Sequence, residues 1–400
     1  MHRAALIAGA SIFLVFAVGC ADDEREAPRS AAACAPDASG APLTMAQVLE
    51  AGPYAVGETH VTLVDESRTT PASGDAPELP SRTLEVAIWY PASARGTGTS
   101  LASGGAFPLV VYSHGLSSFN SEGSKLAGHL ASRGYVVMAP GFPLSRLGAD
   151  GGPTVIDIAN QPGDVSFVID FALASSAEGD HLLEGAIDPE RIAAVGLSLG
   201  GLTTLLATYH ATLRDPRIDV AAAMAPPASF LGEAFYDTRI APLLLLSGDI
   251  DAIVPHDPNA ATAFERADPP VSLFTFVAGT HTGFASISSL FESKNNADEV
   301  GCNAISGVLG EGADAGPTFD FSEALGGADA GLVARVDAPV CQEPLPAGMK
   351  PSRQGKLEIA AISSFLDAYL HSDPEQRSRA CHYNERVLPA EAADLRFERR

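Results

Sequence analysis

The sequence predicts an α/β protein whose mostly parallel central sheet is covered by helices on both faces. From residue 109 to residue 277, short and almost wholly apolar segments alternate with segments of helical periodicity. Strands that are apolar on both faces are typical of parallel sheets lying between two helix layers. Hydrophobic residues make up 46% of the 400 residues and charged residues 18%. The chain can therefore bury a large core and is too poor in charge for a disordered protein.

The predicted strands and helices follow in order along the chain. Strands are predicted over residues 61–64, 84–90, 109–112, 135–139, 192–197, 220–224, 242–246 and 273–277. Helices are predicted over residues 125–132, 162–174, 199–210 and 260–266, and apolar residues at helical spacing predict a last helix over 356–370. Because the first two strands are adjacent in sequence, we expect them to form an antiparallel edge of the sheet.

The N-terminus predicts export. Met1-His2-Arg3 is positively charged, and the apolar run that follows it ends in small residues, as in a secretory signal peptide. The run is too short for a comfortable membrane-spanning helix. It ends in Ala17-Val18-Gly19-Cys20, which resembles a bacterial lipobox. Residues 1–20 are therefore interpreted as a signal peptide with a lipidated Cys20, which makes the protein a membrane-anchored lipoprotein facing the periplasm or the cell exterior. Cleavage at another position is the alternative.

The rest of the chain is predicted to contain one domain. Residues 21–51 are rich in Ala, Pro, Asp and Ser and are interpreted as a linker, residues 52–372 as the domain and residues 373–400 as a charged C-terminal tail. Residues 298–350 are rich in Gly, Ala, Asp and Pro, and we interpret them as an insertion. Gly-Ala-Asp-Ala-Gly occurs twice there, which is too few copies for a repeat architecture. The insertion could form a lid over the active site or a simple surface loop, and the sequence is compatible with both interpretations.

Four further cysteines suggest disulfides, because their number is even and the protein is predicted to be exported. Three pairings are possible, of which we favour Cys302–Cys341 and Cys34–Cys381. No CxxC motif or Cys/His cluster predicts a metal site. The formal net charge of −24 makes nucleic acid and anionic lipid headgroups poor partners.

The strongest motif is Gly196-Leu197-Ser198-Leu199-Gly200, which joins a predicted strand directly to a predicted helix. This is the context of a nucleophile elbow, a tight turn that exposes a serine hydroxyl. Side chains at the two glycine positions would collide in such a turn. The Gly-x-Ser-x-Gly pattern is weak by itself, so the prediction of Ser198 as nucleophile depends on this context.

Two later loops supply the partners of Ser198. The strand over 242–246 leads to Asp249 and Asp251, and the strand over 273–277 leads to His281. The order Ser, Asp, His is the one that α/β-hydrolases use. Asp251, which precedes Ile-Val-Pro, is the favoured orienting acid, and Asp249 is the alternative. His281 is the predicted general base.

Two backbone N–H groups are candidate oxyanion donors. Leu199 follows the nucleophile at the start of a helix. Leu116 follows Ser113-His114-Gly115 after the strand over 109–112, and Gly115 lets the backbone approach the substrate. We interpret His114 as a residue that shapes this loop and not as a second base.

The chain resembles the bacterial predicted dienelactone hydrolases that are similar to platelet-activating-factor acetylhydrolase. The resembling segments are Tyr-Ala-Val-Gly at 54–57, Ile-Trp-Tyr-Pro-Ala at 88–92, Ser-His-Gly-Leu at 113–116, and residues 130–137, 164–170 and 215–218. The resemblance covers most of residues 54–281. It implies an α/β-hydrolase fold and a serine triad that needs no cofactor. Leu197 stands where the family usually has His, and true dienelactone hydrolases use a Cys nucleophile, so their specific activity is not expected from Ser198.

These observations predict an enzyme that cleaves carboxylic esters, either small molecules or lipids, through an acyl-enzyme. A phospholipase A2-like acetylhydrolase or a polyester hydrolase would use the same residues. The alternative from another class is a noncatalytic surface lipoprotein that binds a ligand.

Overall fold

The computed structural model describes residues 41–179, 181–309, 322–336 and 338–400. The strands in these ranges are β1 (Ala55–Asp65), β2 (Arg82–Ala92), β3 (Gly96–Thr97), β4 (Phe107–Ser113), β5 (Val136–Gly141), β6 (Ile187–Leu197), β7 (Val220–Met224), β8 (Leu243–Gly248), β9 (Val271–Phe276) and β10 (Leu395–Arg399). The α-helices are α1 (Met45–Leu49), α2 (Ser124–Ser132), α3 (Gln161–Ala177), α4 (Leu199–Tyr209), α5 (Glu233–Tyr236), α6 (Thr262–Arg266), α7 (Asp298–Leu309), α8 (Pro351–Leu370), α9 (Pro374–His382) and α10 (Leu388–Glu391).

All strands of the described residues belong to one sheet, in the order β10-β9-β8-β7-β6-β4-β5-β2-β1-β3. The six strands from β9 to β5 in this order are mutually parallel. β2 runs antiparallel to both β1 and β5, and β10 runs antiparallel to β9. The predicted mostly parallel sheet with an antiparallel edge formed by the first two long strands is confirmed.

Helices cover both faces of the sheet, which explains why its strands are apolar on both sides. Val195 of β6 packs in a buried cluster with side chains of α2 and α8. Its neighbour Ala194 faces the opposite layer and packs with α3. Because successive strand residues point to opposite faces, both must be apolar when both faces are buried. The carboxyl ends of the parallel strands meet at one edge, where ligand sites of such sheets usually lie.

The linker interpretation is wrong for the residues around α1. Thr44 accepts a hydrogen bond from the backbone N–H of Gln47, and Gln47 bonds back to the N–H of Thr44, so the helix begins with a capping box. Val48 is 2% exposed and packs in the cluster that contains α8. Burial of this side chain docks the segment on the domain. The signal peptide and Cys20 lie outside the described residues and stay predictions.

The interpretation of residues 373–400 as a charged tail is also wrong. This segment forms α9, α10 and β10, and its buried side chains include Cys381, Tyr383 and Leu388. β10 pairs with β9 and covers what would otherwise be an open sheet edge. The charged side chains that suggested a tail lie mainly on the outer surface, as with Arg396, whose side chain is 58% exposed. Between residues 41 and 400, the described helices include none that is long and apolar enough to span a membrane.

The insertion is attached to the domain at several points. The predicted disulfide between Cys302 and Cys341 is present, with Cα atoms 5.6 Å apart. Leu325 and Leu332 are buried in the cluster that contains α4 and α5. No residue in the described part of residues 298–350 joins the sheet, but Leu325 and Leu332 pack on the core. Cys381 is disulfide-bonded, but Cys34 lies outside the described residues, so their pairing stays a prediction.

Candidate active site

Ser198 lies at a strained turn between β6 and α4. Its φ and ψ are 57° and −121°, a backbone conformation that residues other than glycine rarely adopt. A Cβ atom at Gly196 would lie 2.2 Å from the Gly200 carbonyl oxygen, and one at Gly200 would lie 2.0 Å from the carbonyl oxygen of Ser113. Both glycines are therefore required for the turn to close. The serine side chain remains partly exposed at the carboxyl edge of the sheet.

Asp251 and His281 form a buried pair in the loops that follow β8 and β9. His281 Nδ1 lies 2.8 Å from Asp251 Oδ2. The other carboxylate oxygen accepts hydrogen bonds from the backbone N–H groups of Ile253 and Val254, at 2.9 and 2.7 Å. A carboxylate at Nδ1 favours the tautomer that carries a proton there, and this leaves Nε2 unprotonated as a base.

Asp249 takes a different place. Its carboxylate accepts from the backbone N–H of Ala278 at 2.7 Å and pairs with Arg396 of β10 at 2.6 Å. Asp249 therefore connects its loop to the edge strand β10. The carboxylate that contacts His281 is that of Asp251 and not that of Asp249.

The charges around His281 favour its protonated form. Burial lowers the pKa of His281, but the charge and hydrogen bond of Asp251, together with the charges of Asp298 and Glu122, outweigh burial and raise the pKa above its ordinary value. A cationic imidazole is therefore stabilised in this environment, as the mechanism of a serine hydrolase requires.

The two candidate oxyanion donors lie at the same site. Leu116 and Leu199 line one cavity with Ser198 and His281. Among the described residues, nothing accepts a hydrogen bond from the backbone N–H of Leu116 or of Leu199. Both groups are thus available to a ligand oxygen.

His114 shapes the Leu116 loop. Its Nε2 accepts from the backbone N–H of Phe142 at 3.0 Å, and its Nδ1 lies 2.7 Å from the carbonyl oxygen of Gly115. Burial lowers the pKa of His114 to about 4, so it is neutral at physiological pH, with its one ring proton on Nδ1. Both ring nitrogens are engaged by the backbone, in agreement with the structural role predicted for this residue.

Sequence reasoning missed two residues that form hydrogen bonds to the loops of Asp251 and His281. Asp298, the first residue of α7, accepts from the backbone N–H groups of Ala252, His281 and Thr282, at 3.0, 3.1 and 2.7 Å. Gln354 of α8 bonds to both the N–H and the C=O of Thr280. Both contacts span a large sequence distance, and no local motif in the sequence points to either residue.

The cavity beside Ser198 has a volume of about 340 Å³. Its apolar wall includes Phe230, Ile253, Ile287, Phe291, Val300, Ile305, Val336 and Val340. Four of these, from Val300 onward, belong to the insertion, so residues 298–350 form one side of the cavity. In the described ranges no group of three or more His, Cys, Asp or Glu side chains has the arrangement of a metal site.

Comparisons with known proteins agree with this fold. A family model described as platelet-activating factor acetylhydrolase, isoform II, matches residues 88–142, which contain β4, β5 and the Leu116 loop. A solved ferulic acid esterase from Streptomyces cinnamoneus is similar with a TM-score of 0.51 and 19% identity, over 85% of this chain and 97% of that chain. No curated protein sequence matches. The chain therefore has the α/β-hydrolase fold and is similar, over residues 88–142, to the platelet-activating factor acetylhydrolase isoform II family.

Proposed function

We propose that the protein is a serine esterase that hydrolyses carboxylic esters through an acyl-enzyme at Ser198. The observation that carries the proposal is that His281, which is paired with the buried Asp251, lines the same cavity as the strained Ser198. A strained backbone persists only where the surrounding fold imposes it, and such residues cluster at active sites.

The proposed reaction has two halves. His281 Nε2 takes the hydroxyl proton as Ser198 Oγ attacks the ester carbonyl, and the N–H groups of Leu116 and Leu199 hold the oxyanion. The imidazolium, stabilised by Asp251, then gives its proton to the leaving alcohol. A water molecule, deprotonated by His281, attacks the acyl-enzyme and releases the acid. Because His281 must be neutral to act as a base and its pKa is raised, activity increases as the pH rises through that pKa.

A fluorophosphonate probe tests the proposal directly. We expect stoichiometric phosphonylation of Ser198, because the probe requires an activated serine beside an oxyanion site. Peptide mass spectrometry of the labelled protein locates the adduct. The absence of labelling on folded protein at neutral pH would favour a noncatalytic ligand-binding lipoprotein instead.

A second candidate is a phospholipase A2-like acetylhydrolase, which the match of residues 88–142 to the acetylhydrolase family favours. It would use the same groups and differ in the substrate. A hydrolysis screen over p-nitrophenyl esters, short-acyl phospholipids and polyesters distinguishes the two, because an acetylhydrolase should prefer a phospholipid with an acetyl group.

We further propose that the insertion is a lid that selects the acyl chain, since α7 supplies part of the apolar wall. Ala304→Phe should fill space in the cavity and lower kcat/KM for a p-nitrophenyl octanoate relative to the acetate by about tenfold or more. Asn303→Phe is the matched control, because Asn303 is exposed on the same helix and does not line the cavity. Equal selectivity in both variants and the wild type would mean that the insertion is only a surface structure.

A further inference from the structure

Glu122 is a buried acid that the proposed mechanism does not use. It lies two residues before α2, is 4% exposed and forms part of the cavity wall beside Ser198 and His281. Among the described residues of that wall it is the only one with a carboxyl group. Burial of a carboxyl group without hydrogen-bond partners costs free energy. The partners of Glu122 therefore indicate the role of this residue.

The carboxyl group of Glu122 holds the loop that carries the candidate oxyanion donor. Its oxygens accept from the backbone N–H of Gly115 at 3.1 and 3.3 Å. The Tyr112 hydroxyl donates to Oε2 at 3.1 Å, and the Ser118 hydroxyl also bonds to the carboxyl group. Gly115 directly precedes Leu116, so this contact determines where the Leu116 N–H lies.

Glu122 also contacts the segment that follows His281. Its backbone carbonyl accepts from the backbone N–H of Ser286 at 3.0 Å. Its charge is close enough to His281 to raise the pKa of that residue. One residue thus connects the oxyanion loop to the loop of the general base.

Three titratable groups face Glu122 from the elements packed around it: Tyr112 from β4, His281 from the loop after β9 and Glu358 from α8. The charge of Lys125 from α2 acts on Glu358. Burial and the charge of Glu122 raise the pKa of Glu358 well above its ordinary value. Both effects favour the neutral form of Glu358. Burial raises the pKa of Glu122 to about 7, against the opposing effects of its hydrogen bonds and of His281.

We propose that Glu122 is a positioning residue of the active site, which orients the Leu116 N–H through Gly115 and supports the imidazolium of His281. The inference rests on the proposed esterase function. A carboxylate is a stronger acceptor than a neutral carboxylic acid, and its negative charge stabilises the cation that forms on His281 during the reaction. The ionised form of Glu122 is therefore the active one, and its contribution is lost as the pH falls through about 7.

Glu122→Gln tests the proposal, because the amide oxygen still accepts from the Gly115 N–H but the side chain cannot ionise. We expect unchanged folding, a plateau of kcat that is lower by about tenfold, and little change in KM. In the wild type, two groups must lose a proton, so the slope of log(kcat/KM) against pH should exceed one just below pH 7. In the variant the slope should be one. The rise of activity should move to lower pH, because the pKa of His281 falls when its negative neighbour is removed.

Glu358→Gln is the matched control. It changes a neighbouring buried carboxyl group whose neutral form is favoured, so the steep part of the wild-type pH profile should persist. If Glu122 served folding alone, Glu122→Gln would lower the plateau of kcat. The slope of log(kcat/KM) against pH, and the pH at which activity rises, would then be the same as in the wild type. This result would overturn the inference.

A measurement without substrate separates this inference from the proposed function. The infrared absorption of buried protonated carboxyl groups should decrease in the wild type as the pH is raised through about 7, when Glu122 loses its proton, and this transition should be absent from Glu122→Gln. No transition in the wild type overturns the inference. A wild type that titrates in this way but hydrolyses no ester contradicts the proposed function itself.

Discussion

Replacement of Ser198 by alanine is expected to lower kcat for a p-nitrophenyl ester by about 10⁵-fold or more, because removal of the nucleophile from a serine triad leaves only the binding and oxyanion contributions. Folding should be unchanged. The side chain is partly exposed, and alanine meets the same backbone strain at φ 57° as serine does. Initial rates under saturating ester, together with thermal unfolding, measure both quantities.

Ser229→Ala is the control for this experiment, because Ser229 lines the same cavity but lies in the loop after β7. Its kcat should stay within several-fold of the wild type. Turnover by Ser198→Ala within about tenfold of the wild type would exclude Ser198 as the nucleophile, since no triad enzyme retains such activity without it.

Asp251→Asn is expected to lower kcat by about 10⁴-fold, because an amide next to His281 Nδ1 no longer enforces the tautomer that leaves Nε2 unprotonated. The 2.8 Å contact between His281 Nδ1 and Asp251 Oδ2 is the reason for this expectation. A pH–rate profile and single-turnover kinetics of the purified variant provide the measurement.

Asp249→Asn is the matched control, two residues away in the same loop. It removes an ion pair with Arg396, whose side chain is 58% exposed, and such pairs contribute little. We expect a loss of less than about tenfold in kcat. If Asp249→Asn proved the more damaged variant, the acid of the triad would have to be reassigned.

The sequence-based predictions and the structure agree most closely where the determining residues lie close together in sequence. The elbow around Ser198 was predicted because strand, glycine spacing and helix follow one another within a few residues, and the φ of 57° and the two glycine contacts have the geometry that such a turn demands. The disulfide between Cys302 and Cys341 was favoured from the positions of these residues around the insertion and is present.

The sequence-based interpretation and the structure differ in segments whose overall composition is polar or irregular but which bury a few apolar side chains. Residues 373–400 are so charged that they suggested a tail, yet a few apolar side chains at suitable spacing pack them against α8, and β9 offers an edge for β10. The capping box at Thr44 is a local signal that would have identified α1, but the Ala- and Pro-rich sequence before it favoured a linker.

By itself the sequence determined the α/β class, the order of the main strands and helices from β1 to β9, the nucleophile candidate and the loops of its candidate partners, because hydrophobic periodicity and turn geometry depend on neighbouring residues. Only the tertiary structure shows which of Asp249 and Asp251 contacts His281. Both follow β8, and the choice depends on which carboxylate faces the loop after the adjacent strand β9. It also revealed Asp298, Gln354 and Glu122, whose hydrogen bonds to the catalytic loops join residues that are distant in sequence or carry no motif. Such contacts depend on how each loop folds back on itself and on how whole elements pack, and no recognisable motif encodes them.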